Sequence, residues 1–246
     1  MSVSDAEGSS PSFVSLWKSG EMEIQGILPA EWRPLKAEEL AALISAIPEN
    51  ITQQSGKMVS GFQIELENKK DKSPSYNSRI MVFVKTDEYV NQEMIQKTYA
   101  WLEKNRNLLS GMLADQVEKA SIQNIEYKQN LPAILFQNNL SVNEHLFTEL
   151  SSIVFLKGSI MSIVCIAEEK KFAEYKTVFH SFIESIVIPV SLRHASVNSS
   201  QHVPLLTGIF ALLEKKWQPF LGIIIVVGIY GRVFLTGRGK EYDLKG

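Results

Sequence analysis

The stretch that most constrains this chain is its last one, "WQPFLGIIIVVGIYGRVFLTGRGKEYDLKG", from Trp217 to Gly246. Residues 217–236 form a nearly unbroken apolar run between charged flanks. Twenty residues make a helix of about 30 Å, the thickness of a bilayer's hydrocarbon core. Trp217 at one end and Tyr230 near the other are placed as interfacial aromatics are. Phe220, Leu221, Ile223, Ile224, Ile225, Val226, Val227 and Ile229 supply the apolar body. A transmembrane helix over 217–236 is expected, with the lipid bilayer as its partner. Arg232 is the weak point, but it lies near the end of the run, where an arginine can snorkel to the headgroups. The competing reading is a buried β hairpin, since Ile and Val dominate. A polar linker separates the segment from any sheet it would have to join.

The rest of the chain reads differently. The 246 residues are 45% hydrophobic and 21% charged, which suits a globular core. A net charge of −2, from 25 basic and 27 acidic residues, argues against nucleic acid as a partner. The single cysteine, Cys165, sits in the apolar run "SIMSIVCIAEE" and reads as a buried strand residue; no internal disulfide or CxxC zinc spacing is possible.

The patterning divides the chain into a polar, disordered lead-in (1–12), a soluble domain (13–189), a linker (190–203), a short apolar or interfacial segment (204–216), the membrane helix (217–236) and a charged tail (237–246). In the domain, alternation predicts strands over 20–29, 58–68, 79–86, 122–129, 133–139, 146–156 and 159–168. In the first of these, Met22, Ile24 and Ile27 would share one side. The 58–68 and 79–86 strands read as a hairpin, and Lys157-Gly158 turns the last two. Helical spacing appears over 35–47, from 91 toward Lys119 with a break near Gly111, and from Glu169 to Ile188, stopped by Pro189. The order β-α-β-β-α-β-β-β-β-α predicts an α+β fold, an antiparallel sheet of about six strands covered by amphipathic helices.

Three stretches carry a resemblance. They are a strand ending in "LPAEW", the pair "GFQIELEN" and "SRIMVFVK", and the strand–turn–helix run "GSIMSIVCIAEEKKFAEYKTVFHSFIESI". Together with the element order they resemble the PsbP-like fold group, which includes the photosystem II extrinsic subunit, a Ran-binding import factor and DcrB-like proteins. The resemblance covers about residues 13–189 and implies the α+β fold. It also implies an accessory or binding role, since most members of the group are not enzymes. Its motifs are packing motifs, so no site residue is carried over.

Catalytic signatures are missing from the sequence: no G-x-S-x-G, P-loop or G-x-G-x-x-G occurs. Glu38-Glu39 and Glu168-Glu169 fall at helix starts, where acids favour the dipole. His180 reads as a flank of the last helix, and His194 and His202 as solvated linker residues. His145, beside Glu144 and near Glu149, is the one candidate for a cation site. No catalytic, cofactor-binding or metal residue is therefore assigned, and no cofactor is expected. The functional expectation is a membrane-tethered, non-catalytic accessory domain with a protein partner. The alternative is a membrane-surface enzyme whose site is assembled from scattered residues. With no secretory signal at the N-terminus, the expected placement is single-pass and tail-anchored, with the domain on the cytosolic side. The excess of basic residues after the span points the other way.

Overall fold

The structure is a computed structural model, and it describes residues 13–18, 23–29, 31–46, 56–64, 78–86, 91–104, 106, 119–128, 130–142 and 145–193. The strands are β1 (Phe13–Lys18), β2 (Gln25–Pro29), β3 (Trp32–Pro34), β4 (Lys57–Ile64), β5 (Arg79–Thr86), β6 (Lys119–Lys128), β7 (Ala133–Val142), β8 (His145–Leu156) and β9 (Ser159–Glu168). The helices are α1 (Ala37–Ala46), α2 (Gln92–Lys104) and α3 (Glu169–Glu184), followed by a 3₁₀ turn at Val190–Leu192. The α+β class and the antiparallel sheet are as the sequence predicts. The strand number is not: seven strands form the main sheet, in the order β3-β4-β5-β9-β8-β7-β6, and β1 pairs with β2 in a separate two-stranded sheet.

Each half of the main sheet is built from neighbours in sequence. β3, β4 and β5 pair in succession, and β6 through β9 form a meander. The halves meet where β5 pairs with β9, from Arg79 opposite Ile166 to Thr86 opposite Ser159. β8 and β9 are unbroken hairpin partners across the Lys157-Gly158 turn, where Gly158 takes a φ of 78° that L side chains rarely adopt. β6, at the sheet's edge, carries a bulge between Gln123 and Glu126, with Asn124 at a φ of 49°.

Both faces of the sheet are buried. On one face Phe62, Ile80, Val82, Val154, Ile163 and Cys165 pack against Phe172, Phe179, Phe182 and Ile183 of α3, with Ile24 and Leu28 joining from the β1–β2 side. On the other, Met81, Phe83, Phe136, Ile153, Phe155 and Val164 pack with Ile95 and Leu102 of α2, and with Leu40, Leu43 and Ile44 of α1. A Cβ at Gly61 would sit 2.5 Å from Leu35 Cδ1, so the glycine lets the chain leading into α1 press on β4. Cys165 is a fully buried strand residue, as read.

Several boundaries depart from the sequence reading. α3 ends at Glu184 rather than Ile188. The Ser185 hydroxyl donates to Phe182 O and accepts from Ile27 N–H, and the β-branched run after it goes extended. Val187 then exchanges backbone hydrogen bonds with Gln25. In the first predicted strand, Ile27 is exposed while Ile24 and Leu28 are buried. Ile24, Gly26 and Leu28 share the buried side, and Ile27, three residues from Ile24, points to the other. β6 starts at Lys119, where the second helix was expected to end; the break expected near Gly111 lies outside the described residues. Among the described residues no helix is long and apolar enough to cross a membrane. The anchor residues from Trp217 to Tyr230, and the segments that flank them, lie outside the described residues.

Candidate functional site

Three polar constellations occur among the described residues, and the chemistry of each follows from its place on the sheet. The first lies on the α1/α2 face. Odd-numbered residues of β8 point to that face, so Glu149 sits between Phe147 and Ser151 on a strand buried on both sides. Pairing sets Asn138 of β7 directly opposite it on one flank and Ile166 of β9 on the other. Asn138 Nδ2 donates to Glu149 Oε2 at 3.2 Å, and the Ser151 hydroxyl donates to Oε1. Glu149 is 0% exposed. Burial, the largest influence, pushes its carboxyl up to about 7 against the hydrogen bonds from Ser151 and Asn138, which pull it down. Asn138 Oδ1 and Ser162 Oγ, both buried, have no hydrogen-bond partner among the described residues.

A carboxyl that titrates near neutrality is suited to proton transfer, but a general acid or base must come within hydrogen-bond reach of its substrate. Glu149 is sealed from solvent, so its arrangement acts on the fold and on its pH response. Across the sheet, burial first and the Glu149 charge second push the Cys165 thiol well above its ordinary value, which keeps it unreactive.

The second constellation is at the β3 edge. Arg33 Nη1 and Nη2 each donate to Glu39 at 2.8 Å, a bidentate clamp. Glu39 Oε2 also accepts from Lys36 N–H at 2.8 Å, the half of a capping box that closes the start of α1. Gln63 Nε2 of β4 approaches Oε1 at 3.4 Å. Arg33 foremost, then the Lys36 amide, hold the Glu39 carboxyl down at about 2. The sequence reading assigned Glu39 to the helix dipole alone; its partner Arg33 lies on a strand too short to be foreseen.

The third joins β6 to α3. Lys128 lies 2.8 Å from Glu126 and 3.9 Å from Glu184. Nearby, His180 is a half-buried flank of α3, and burial lowers its pKa first of all. His145 is exposed at the start of β8, four residues from the sealed Glu149, and Glu144 lies outside the described residues. No group of three or more metal-ligating side chains forms among the described residues.

Neither a protein-family model nor a curated protein matches the chain. Among solved structures, it is similar to the cyanobacterial PsbP (CyanoP) of Synechocystis, at 10% identity and a TM-score of 0.44, over 74% of this chain and 96% of that one. It is also similar to LpqN of Mycobacterium tuberculosis, described as involved in cell envelope biogenesis, at 12% identity and a TM-score of 0.43, over 71% and 90%. A third is the Ran-binding protein Mog1p of Saccharomyces cerevisiae, at 8% identity and a TM-score of 0.41, over 72% and 96%. The PsbP-like fold group resembled by the sequence is thus represented among them. The likeness concerns fold, and no residue role is taken from it.

Proposed function

We propose that this chain is a membrane-tethered accessory domain that presents its α+β body to a protein partner at a membrane surface. One observation carries the reading: residues 217–236 are an apolar run of bilayer length with aromatics placed at both ends. It follows a Ser- and Asn-rich stretch, which suits a tether better than an added strand. In this reading the domain stays on the cytosolic side and the last ten or so residues cross.

The test is fractionation of cells expressing the full chain and variants, with a carbonate wash that strips peripheral proteins. The full chain should stay with the membranes, and a chain ending at His202 should move to the soluble fraction. Ile225→Asp puts a charge near the middle of the run at a cost of about 3 kcal/mol and should weaken insertion. Arg232→Leu should strengthen it. Release of the full chain by carbonate would overturn the reading.

A further inference from the structure

The described domain has two ends along the strand direction, and they differ. β8 runs from His145 to Leu156, and β9 returns, so that Phe147 faces Glu168 at one end and Leu156 faces Ser159 at the other. α3 starts beside the Glu168 end and carries the chain back over about 24 Å. The chain therefore leaves the domain at the Lys157 end. A backbone hydrogen bond from Lys157 N to Leu192 O, at 2.8 Å, fixes it there.

Three of the four large hydrophobic side chains exposed among the described residues gather at this end. Ile27 is 38% exposed, Val187 56% and Val190 80%. The paired backbone bonds between Gln25 and Val187 make those two residues opposite partners. Ile27, two along from Gln25, therefore shares a side with Val187. Val190 follows within three residues. Lys157 and Arg193 supply positive charge at the margin, and Glu23 lies two residues before Gln25. The fourth exposed apolar side chain, Leu146, is at the opposite end of β8, about 33 Å from Leu156.

We infer that the Ile27–Val187–Val190 surface is the face with which the domain rests on the bilayer into which its own C-terminus inserts. This rests on the tether proposed above. The linker read over 190–203 leaves ten residues after Arg193, and ten residues of flexible chain average about 17 Å end to end. A surface held at that range meets the membrane at an effective concentration of millimolar order. Three aliphatic side chains, too few to bind vesicles from free solution, then suffice to orient a tethered domain. The two basic residues at the margin reach the phosphate level, as snorkelling side chains do.

The experiment uses the full chain reconstituted into phosphatidylcholine vesicles with a minor share of phosphatidylglycerol. V190C and L146C each carry an environment-sensitive fluorophore; the native Cys165 is fully buried and stays unlabelled. The probe at 190 should shift to the blue and be quenched several-fold more by headgroup-level spin-labelled lipid than the probe at 146. I27S and V187S together should bring its quenching down to the level at 146. Equal, weak quenching at both sites in carbonate-resistant vesicles would overturn this inference and leave the tether standing. A probe at 190 that is shielded yet not quenched by lipid would also overturn it, because residues 203–213 or a second copy would then cover the face. Release of the chain by carbonate would remove the tether, and this inference with it.

Discussion

The two faces of the central sheet are both closed to water, yet they are built from different materials. The α3 face is a layer of rings. Trp32 meets Phe179 edge-on at 5.8 Å and Tyr175 at 6.2 Å, and Phe62 lies 5.8 Å from Phe182. The α1/α2 face gives up part of its middle to Asn138, Glu149, Ser151 and Ser162, with aliphatic and aromatic groups around them. A ring buried among rings stabilises at every pH. A carboxyl buried among amides and hydroxyls stabilises only while it can keep its proton. Both faces supply bulk stability, and the second, through Glu149, adds pH dependence.

The ring face should yield the largest effect when broken. Phe179 is 0% exposed and touches Trp32, Phe172 and Tyr175. Phe179→Ala should cost about 3–5 kcal/mol, read by denaturant unfolding of the detergent-solubilised chain. A loss below about 1 kcal/mol would mean that α3 repacks freely and that the face is not the rigid one.

The polar face sharpens the comparison through pH. The Glu149 carboxyl is raised from 4.5 to about 7 on folding. Between those values the folded state keeps a proton that the unfolded state releases, so stability falls as pH rises through that window, by about 3 kcal/mol in all. Glu149→Gln removes this dependence, since a neutral amide still accepts from Asn138. The variant should be the more stable protein at about pH 8, and the two should converge at about pH 4. Parallel pH profiles for the two would show that Glu149 does not set the response.

The smallest effect is expected at the sheet's rim. Glu39 is held at about 2, so its contribution is complete above 4.5 and is lost as pH falls through the lower value. Its side chain is 36% exposed, and solvent screening keeps the pair's contribution below about 1 kcal/mol. Arg33→Ala should bring the Glu39 titration, followed by carboxyl NMR, back toward 4.5 while barely moving the melting temperature. A large drop in melting temperature would show that the clamp holds β3 to α1 more firmly than an exposed pair can.

Strands buried on both sides were the easiest part of this fold to read. β5 and β9 match their predicted bounds residue for residue, because "RIMVFVKT" and "SIMSIVCIAE" are apolar at both parities and end in polar or turn residues. β3 was invisible: Trp-Arg-Pro has no period to detect, and it becomes a strand only because Trp32 finds Ile64, far along the chain beyond α1. The Glu149 cluster does mark the sequence, as an acid midway along "HLFTELSSIVFL", where every long side chain after it is apolar. Its partner could not be found the same way. Asn138 meets Glu149 through the register of the β7–β8 hairpin, and a one-residue slip would send the two to opposite faces.

An open sheet of seven strands has two raw margins, and each is a template for uncontrolled growth. Here β3 offers only three residues, the last of them a proline with no N–H to give. β6 is longer, but its bulge and the left-handed Asn124 interrupt the ladder, and Glu126 and Lys128 place charge along the outermost strand. A second copy approaching either margin would find no straight row of donors and acceptors to extend. Molecules confined to one plane meet edge to edge far more often than molecules in free solution. With the tether proposed above, the irregular rims of this sheet would work against amyloid-like lateral aggregation.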